Sequence, residues 1–146
     1  MLYDHSVQKD NCGFGLIAHQ QGKASHKLVK TAIHALDRMQ HRGGIAADGK
    51  TGDGCGLLMQ KPDTFFRAIA QENNWKLGKK YAVGMIFLNP DPIQASASKK
   101  ILEEELANET LTLIGWRVVP TDTSMLGETA TNNMPQIEQV FVDAPP

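Results

Sequence analysis

The sequence predicts an α+β domain, and three observations predict it. Helical and strand-like stretches follow one another in pairs, not in a strict strand–helix–strand rhythm, which favours a layered arrangement over a doubly wound sheet. Residues 81–88 are continuously apolar and bounded by Lys79-Lys80 and Asn89-Pro90, as a buried strand should be. Several stretches carry apolar side chains at helical spacing. A chain of 146 residues suits one domain and can bury roughly two-thirds of its unfolded surface.

Residues 1–11 are polar, with Asp4, His5, Lys9, Asp10 and Asn11 and only Leu2, Tyr3 and Val7 available for packing. They read as a flexible leader. Residues 13–19 read as a strand, its glycines permitting close backbone approach beside Cys12. Ser25 is placed to cap a helix over 26–40, whose apolar face is Leu28, Val29, Ala32, Ile33, Leu36 and Met39. That helix should stop near Gly43-Gly44, with Arg42 at or just past its end. Five glycines make 43–54 a loop. A second short apolar strand is expected over 55–60.

Pro62 and Asp63 then open a helix to about Asn73, with Phe65, Phe66, Ile69 and Ala70 facing inward. After the strand at 81–88, residues 92–108 read as a helix with Ile93, Ala97, Ile101, Leu102 and Leu106 on one side. Its Lys99-Lys100 and Glu103-Glu104-Glu105 run reads as a solvated face. Strands over 110–119 and 137–142 flank a turn-rich segment at 120–135.

Fifteen basic and sixteen acidic side chains leave a net charge of −1. No overall field recruits nucleic acid or an anionic membrane. No apolar run approaches a membrane span, and residues 1–9 are too polar for a secretory signal, so a reducing cytoplasm is the expected location. The two cysteines, Cys12 and Cys55, are too far apart for a Cys-x-x-Cys motif. His19, His26, His34 and His41 fall in no metal-ligand spacing and read as surface or cap residues. Trp75 and Trp116 read as local core or lid contacts.

The chemistry concentrates at Cys12. A lone cysteine beside a strand is ordinarily a small core residue, but this one follows a polar leader. Cleavage of the Asn11–Cys12 bond would make it a new amino terminus. A thiol titrates near about 8.5 and an α-amino group near about 7.7–8.0, so the freed amine can take the thiol proton close to neutral pH. While Asn11 acylates that nitrogen it cannot act as a base.

The run Cys12-Gly13-Phe14-Gly15-Leu16-Ile17-Ala18, then Met39-Gln40-His41-Arg42-Gly43, then Ala47-Asp48-Gly49-Lys50-Thr51-Gly52-Asp53-Gly54 resembles the start of the class II glutamine amidotransferase domain. Within that class it is most similar to the large subunit of bacterial glutamate synthase, through the Lys-Thr-Gly-Asp-Gly loop. The resemblance extends to 81–88 and 137–142. It implies an N-terminal-nucleophile fold, two antiparallel sheets between helical layers, of which 12–146 would be the incomplete front part and 1–11 a propeptide-like leader. Residues 143–146 follow the last strand with no closing element, in keeping with a larger polypeptide.

The resemblance also implies an activity. Cys12 would attack the side-chain amide of L-glutamine, form a γ-glutamyl thioester and release ammonia for glutamate synthesis from 2-oxoglutarate. Arg42 would brace the nucleophile loop or meet a carboxylate of glutamine through its fork of donors, against the simpler reading that it bonds the last helix carbonyls. Oxyanion donors, worth about 2.7–4 kcal/mol each, would come from an Asn-Gly pair further along the parent domain. This sequence has no such pair. The parent enzyme would use FMN, an iron–sulfur cluster and NADPH through a small partner subunit, none of them bound by these residues. Two alternatives stay open: a class II amidotransferase with another acceptor, and a non-catalytic interaction module in which Cys12 stays blocked.

Gly44-Ile45-Ala46-Ala47-Asp48-Gly49-Lys50-Thr51 also fits the phosphate-loop pattern. That motif needs a strand before it and a helix opening at its Lys-Thr. Here a helix precedes and glycines follow. The expected reading is a turn in which Asp48 and Asp53 bond backbone amides.

Overall fold

The computed structural model describes residues 13–39, 44–52 and 54–144. The leader, Asn11, Cys12, His41, Arg42, Gly43 and Asp53 lie outside the described residues. The chain divides into two compact units, Met1–Met59 and Gln60–Pro146.

In the first unit, helix α1 spans His26–Asp37. Ser25 caps it as expected: its backbone is extended and its Oγ accepts from the Leu28 amide at 3.3 Å. The expected helix to residue 40 is corrected, because α1 stops at Asp37 and its last turn tightens, Met39 N donating to Leu36 O at 2.9 Å. Two further expectations fail. Residues 13–19 and 55–60 form no strand, and Phe14 (94% exposed), Leu16 and Leu58 stand in solvent. Apolar composition supplies the side chains of a strand but not its ladder, and among the described residues neither segment has a strand to pair with.

The second unit opens with α2, Asp63–Glu72. Pro62, which lacks an amide hydrogen, precedes it where no donor is needed. Asn74 adopts φ +57, Asn74 N donates to Gln71 O and Trp75 N to Ala70 O. This Schellman closure turns Trp75 back onto Phe141, with ring centroids 5.2 Å apart. Strand β1 (Tyr81–Leu88) and helix α3 (Pro92–Asn108) have the bounds the sequence predicts. Asp91 caps α3, accepting from Ile93 N at 2.8 Å. Strand β2 is Thr112–Val118 and β3 is Gln136–Asp143. A short helix α4, Glu128–Asn132, occupies the segment read as turns.

The three strands form an antiparallel sheet in the order β1-β3-β2. Cross-strand partners share a face, so Glu138, Val140 and Val142 lie with Gly84, Ile86 and Trp116, while Gln139 and Phe141 lie with Met85, Val83 and Arg117. The register of β2 shifts between Leu113 and Gly115. That bulge keeps Leu113 and Trp116 on one face and Gly115 on the other.

Central strand β3 carries much of the core. Phe141 is fully buried, which stabilises by about 1.5–3 kcal/mol. The Phe66 ring meets it edge-on at 5.8 Å. Of the residues expected inward on α2, Ile69 and Ala70 are buried, whereas Phe65 is half exposed. The face expected to pack on α3 is also corrected: Ile93 and Ile101 are exposed, and Ala95 is the buried residue. Lys99 and Glu103 point to the sheet from this same side, so the charged run is not wholly a solvated face. Apolar identity misleads here because the strands beneath α3 offer Glu138 and an indole N–H as partners.

Candidate functional site

The residues on which the sequence places catalysis, Cys12 with Asn11 and Arg42, lie outside the described residues. The structure does describe the loop that follows Arg42 in the chain. Ala46 N donates to Thr51 O at 2.7 Å, and Ile45 bridges Gly52. Gly49 takes φ +70 at the tip, a conformation that favours glycine. Asp48 draws the loop shut: Oδ1 accepts from Lys50 N at 3.0 Å and Thr51 N at 2.7 Å, and Oδ2 from the Thr51 hydroxyl.

The expected role of Asp48 is thus observed. It also disposes of the phosphate-loop pattern, since the Lys50 and Thr51 amides that would cradle a phosphate are spent on an aspartate of the same loop. No helix opens at Lys50-Thr51. Nearby in the sequence, His19 caps a turn, its Nδ1 accepting from Gln21 N and Lys23 N, with Gly22 at φ +66. Cys55 is a free, exposed thiol.

The second unit holds two polar clusters that sequence reasoning missed. In one, Tyr81 is buried and its hydroxyl donates to Asp63 Oδ1 at 2.7 Å. Arg67 Nε donates to the other oxygen of Asp63 at 2.8 Å. Lys61 Nζ sits 3.4 Å from the centre of the Tyr81 ring and donates to Tyr81 O at 2.9 Å. Burial first, and the Asp63 carboxylate second, push the Tyr81 phenol up to about 12. The same hydrogen bond from Tyr81, then that from Arg67, holds Asp63 below its ordinary value.

In the other cluster, Lys99 Nζ bonds Glu138 Oε2 at 2.8 Å and lies 4.6 Å above the Trp116 ring, whose Nε1 donates to Glu103 Oε1 at 2.7 Å. Every polar group in it has a partner. Neither cluster presents a free nucleophile, and both act as clasps of a helix on the sheet. The Asp63–Arg67 spacing of four residues was the one signal for them in the sequence. Among the described residues no group of three His, Cys, Asp or Glu is placed to hold a metal ion, and no helix is long and apolar enough to cross a membrane.

Comparison with known proteins places these residues among relatives. The model of the class II glutamine amidotransferase family matches residues 12–146. The glutamate synthase (NADPH) large chain of Bacillus subtilis is 37% identical over 98% of the chain. Ferredoxin-dependent glutamate synthase 2 of Synechocystis is 39% identical over 94%, and the ferredoxin-dependent glutamate synthase of Cyanidium caldarium is 41% identical over 94%. The chain spans 9% of the length of each of these relatives.

Proposed function

The chain belongs to the class II glutamine amidotransferases, and from that premise we propose that it is the front part of the glutaminase domain of a glutamate synthase large subunit. One observation carries the reading. The family match begins at residue 12, the cysteine that follows the polar leader and opens the Gly13-Phe14-Gly15 run.

On this reading loss of residues 1–11 frees the Cys12 amine. The amine takes the Cys12 thiol proton, and the thiolate attacks the side-chain amide carbon of L-glutamine. The tetrahedral adduct collapses as the ammonium hands its proton to the departing nitrogen, giving a γ-glutamyl thioester and ammonia. Water, deprotonated by the same amine, then releases glutamate and restores the thiol.

Arg42 braces the nucleophile loop or meets the glutamine carboxylate. Arg42→Lys separates the two: a raised KM with kcat retained assigns the carboxylate, and a fall in kcat assigns the brace.

The ammonia would be consumed with 2-oxoglutarate elsewhere in the longer protein, with FMN, an iron–sulfur cluster and NADPH through a partner subunit. The residues present do not fit the cluster, since a chain with two cysteines falls short of the roughly four thiolates it requires. No step of the glutaminase reaction runs through those groups. Relatives of both the NADPH and the ferredoxin-dependent kind match at similar identity, and assay of the complete protein with each donor decides between them. The proposed location is the cytoplasm, where Cys12 and Cys55 stay reduced.

For the fold we propose the sandwich of two sheets typical of N-terminal nucleophile enzymes. The exposed Met85 and Phe87 on one face of the sheet (48% and 67% exposed) support a further layer there.

The test is direct. Intact mass reads whether the leader is gone, and a diazoketone analogue of glutamine should add once, at Cys12. Cys12→Ser should abolish glutaminase activity. Full activity in that variant of the complete protein, with its leader removed, would refute the proposal. The 146 residues by themselves should release ammonia far more slowly than the complete domain, for want of the Asn-Gly donors, and equal rates would contradict that.

A further inference from the structure

At the end of the sheet where β1 begins and β3 finishes, the second unit carries a groove of about 450 Å³, within the roughly 300–1,000 Å³ range of binding clefts. Leu111, Val142 and Ala144 form an apolar floor, and Lys61, Lys79 and Lys80 stand along it. Among the described residues no carboxylate pairs directly with these lysines: Asp63, which also feels the Lys61 charge, is bonded by Tyr81 and Arg67, and Asp143 accepts twice from the Gly78 amide, at 3.0 and 2.8 Å.

Lys61 is pinned in place by Tyr81 O and the Tyr81 ring, and that carbonyl takes one of its three ammonium protons. Lys79 and Lys80 are exposed and make no side-chain bond among the described residues. Lysines beside an edge strand can simply discourage unwanted pairing, but that role does not explain an apolar floor between them.

We propose that this groove docks an acidic segment of a partner protein that carries an apolar anchor. Carboxylates meet Lys61, Lys79 and Lys80, and the anchor covers Leu111, Val142 and Ala144. Charge complementarity argues for this occupant. A small anion would leave the floor wet, and a long polyanion would meet a chain of net charge −1 with no field to draw it in. The inference goes beyond the glutaminase reading and does not depend on it.

Fluorescence anisotropy of the 146-residue chain with a fluorescein-labelled octapeptide of alternating glutamate and leucine tests it. Binding should saturate, and joint Lys79→Gln and Lys80→Gln replacement should weaken it about tenfold. Ala144→Trp, which fills the floor and leaves the charges alone, should weaken it comparably, with circular dichroism unchanged in both variants. A glutamate-only octapeptide that binds equally well would reduce the site to surface charge and overturn the proposal. Citrate displacing the peptide while Ala144→Trp has no effect would overturn it in favour of a small-anion site, as would affinity indifferent to both variants.

Discussion

A methyl group added at Gly115 would lie 2.5 Å from Cζ2 and 2.6 Å from Cε2 of Trp75. An indole held against Phe141 has nowhere to go. Gly115→Ala should therefore cost about 1–3 kcal/mol, read as a lower denaturant midpoint at unchanged slope. Tyr81 and Asp63 make a second prediction through pH. Because the folded phenol titrates near 12 instead of 10.0, its contribution to stability is whole below about pH 10 and fades as pH rises through 12. The Asp63 carboxyl is held below its ordinary 3.8, so its contribution is whole above that value and fades as pH falls through the folded pKa. Stability should form a plateau between these limits. In Tyr81→Phe the alkaline decline should weaken, and thermal melts from pH 8 to 12 check it; an identical decline in both proteins would remove Tyr81 from the account.

Helices α2 and α3 end in the same way, on a residue in the left-handed region: Asn74 at φ +57 and Thr110 at φ +59. Leu111 N then reaches back to Leu106 O at 2.9 Å, the Schellman bond that starts the chain toward β2. Asn tolerates that conformation, but a β-branched residue is an outlier there. Thr110 is exposed, so Thr110→Gly loses no packing and should stabilise by about 1 kcal/mol, seen as a raised melting temperature. The seating of α3 invites the opposite result. Glu138 is buried beneath Lys99, so Lys99→Met alone should destabilise by about 2 kcal/mol, while Lys99→Met with Glu138→Leu should recover much of it. These cases show why the elements with strong local signals were readable and their contacts were not. Periodicity and caps are local, which is how the bounds of β1 and α3 and the Ser25 cap emerge from the sequence. Lys99, Glu103 and Trp116 find partners across the unit, and nothing in a stretch reading Lys-Lys-Ile-Leu-Glu-Glu-Glu says that two of its charges turn inward. For the candidate site, the Asp48 turn was legible because its bonds lie within three residues; the clasp on Tyr81 joins residues 18 and 20 apart.

The two units differ in what holds them. All the buried residues among those described, from Ile69 to Val142, belong to Gln60–Pro146, and none belongs to the first unit. β3 is bonded on both sides by β1 and β2, so its amides can exchange only when the sheet opens, whereas 13–19 and 55–60 have no ladder to protect them. Hydrogen exchange read by mass spectrometry should find β3 slowest and those two segments near unprotected rates; protection at 13–19 equal to that of β3 would contradict this structure. The same measurement bears on the proposed fold. Apolar side chains as exposed as Phe14, Leu16 and Leu58 cost solubility unless something covers them, and a sandwich of two sheets would cover them by pairing both segments as strands. If the chain is the front part of a longer domain, as proposed, residues 13–19 and 55–60 should exchange far more slowly in that domain than in the 146-residue chain. If they stay fast in the longer protein too, these segments are not strands of its sheets and the proposed sandwich does not include them.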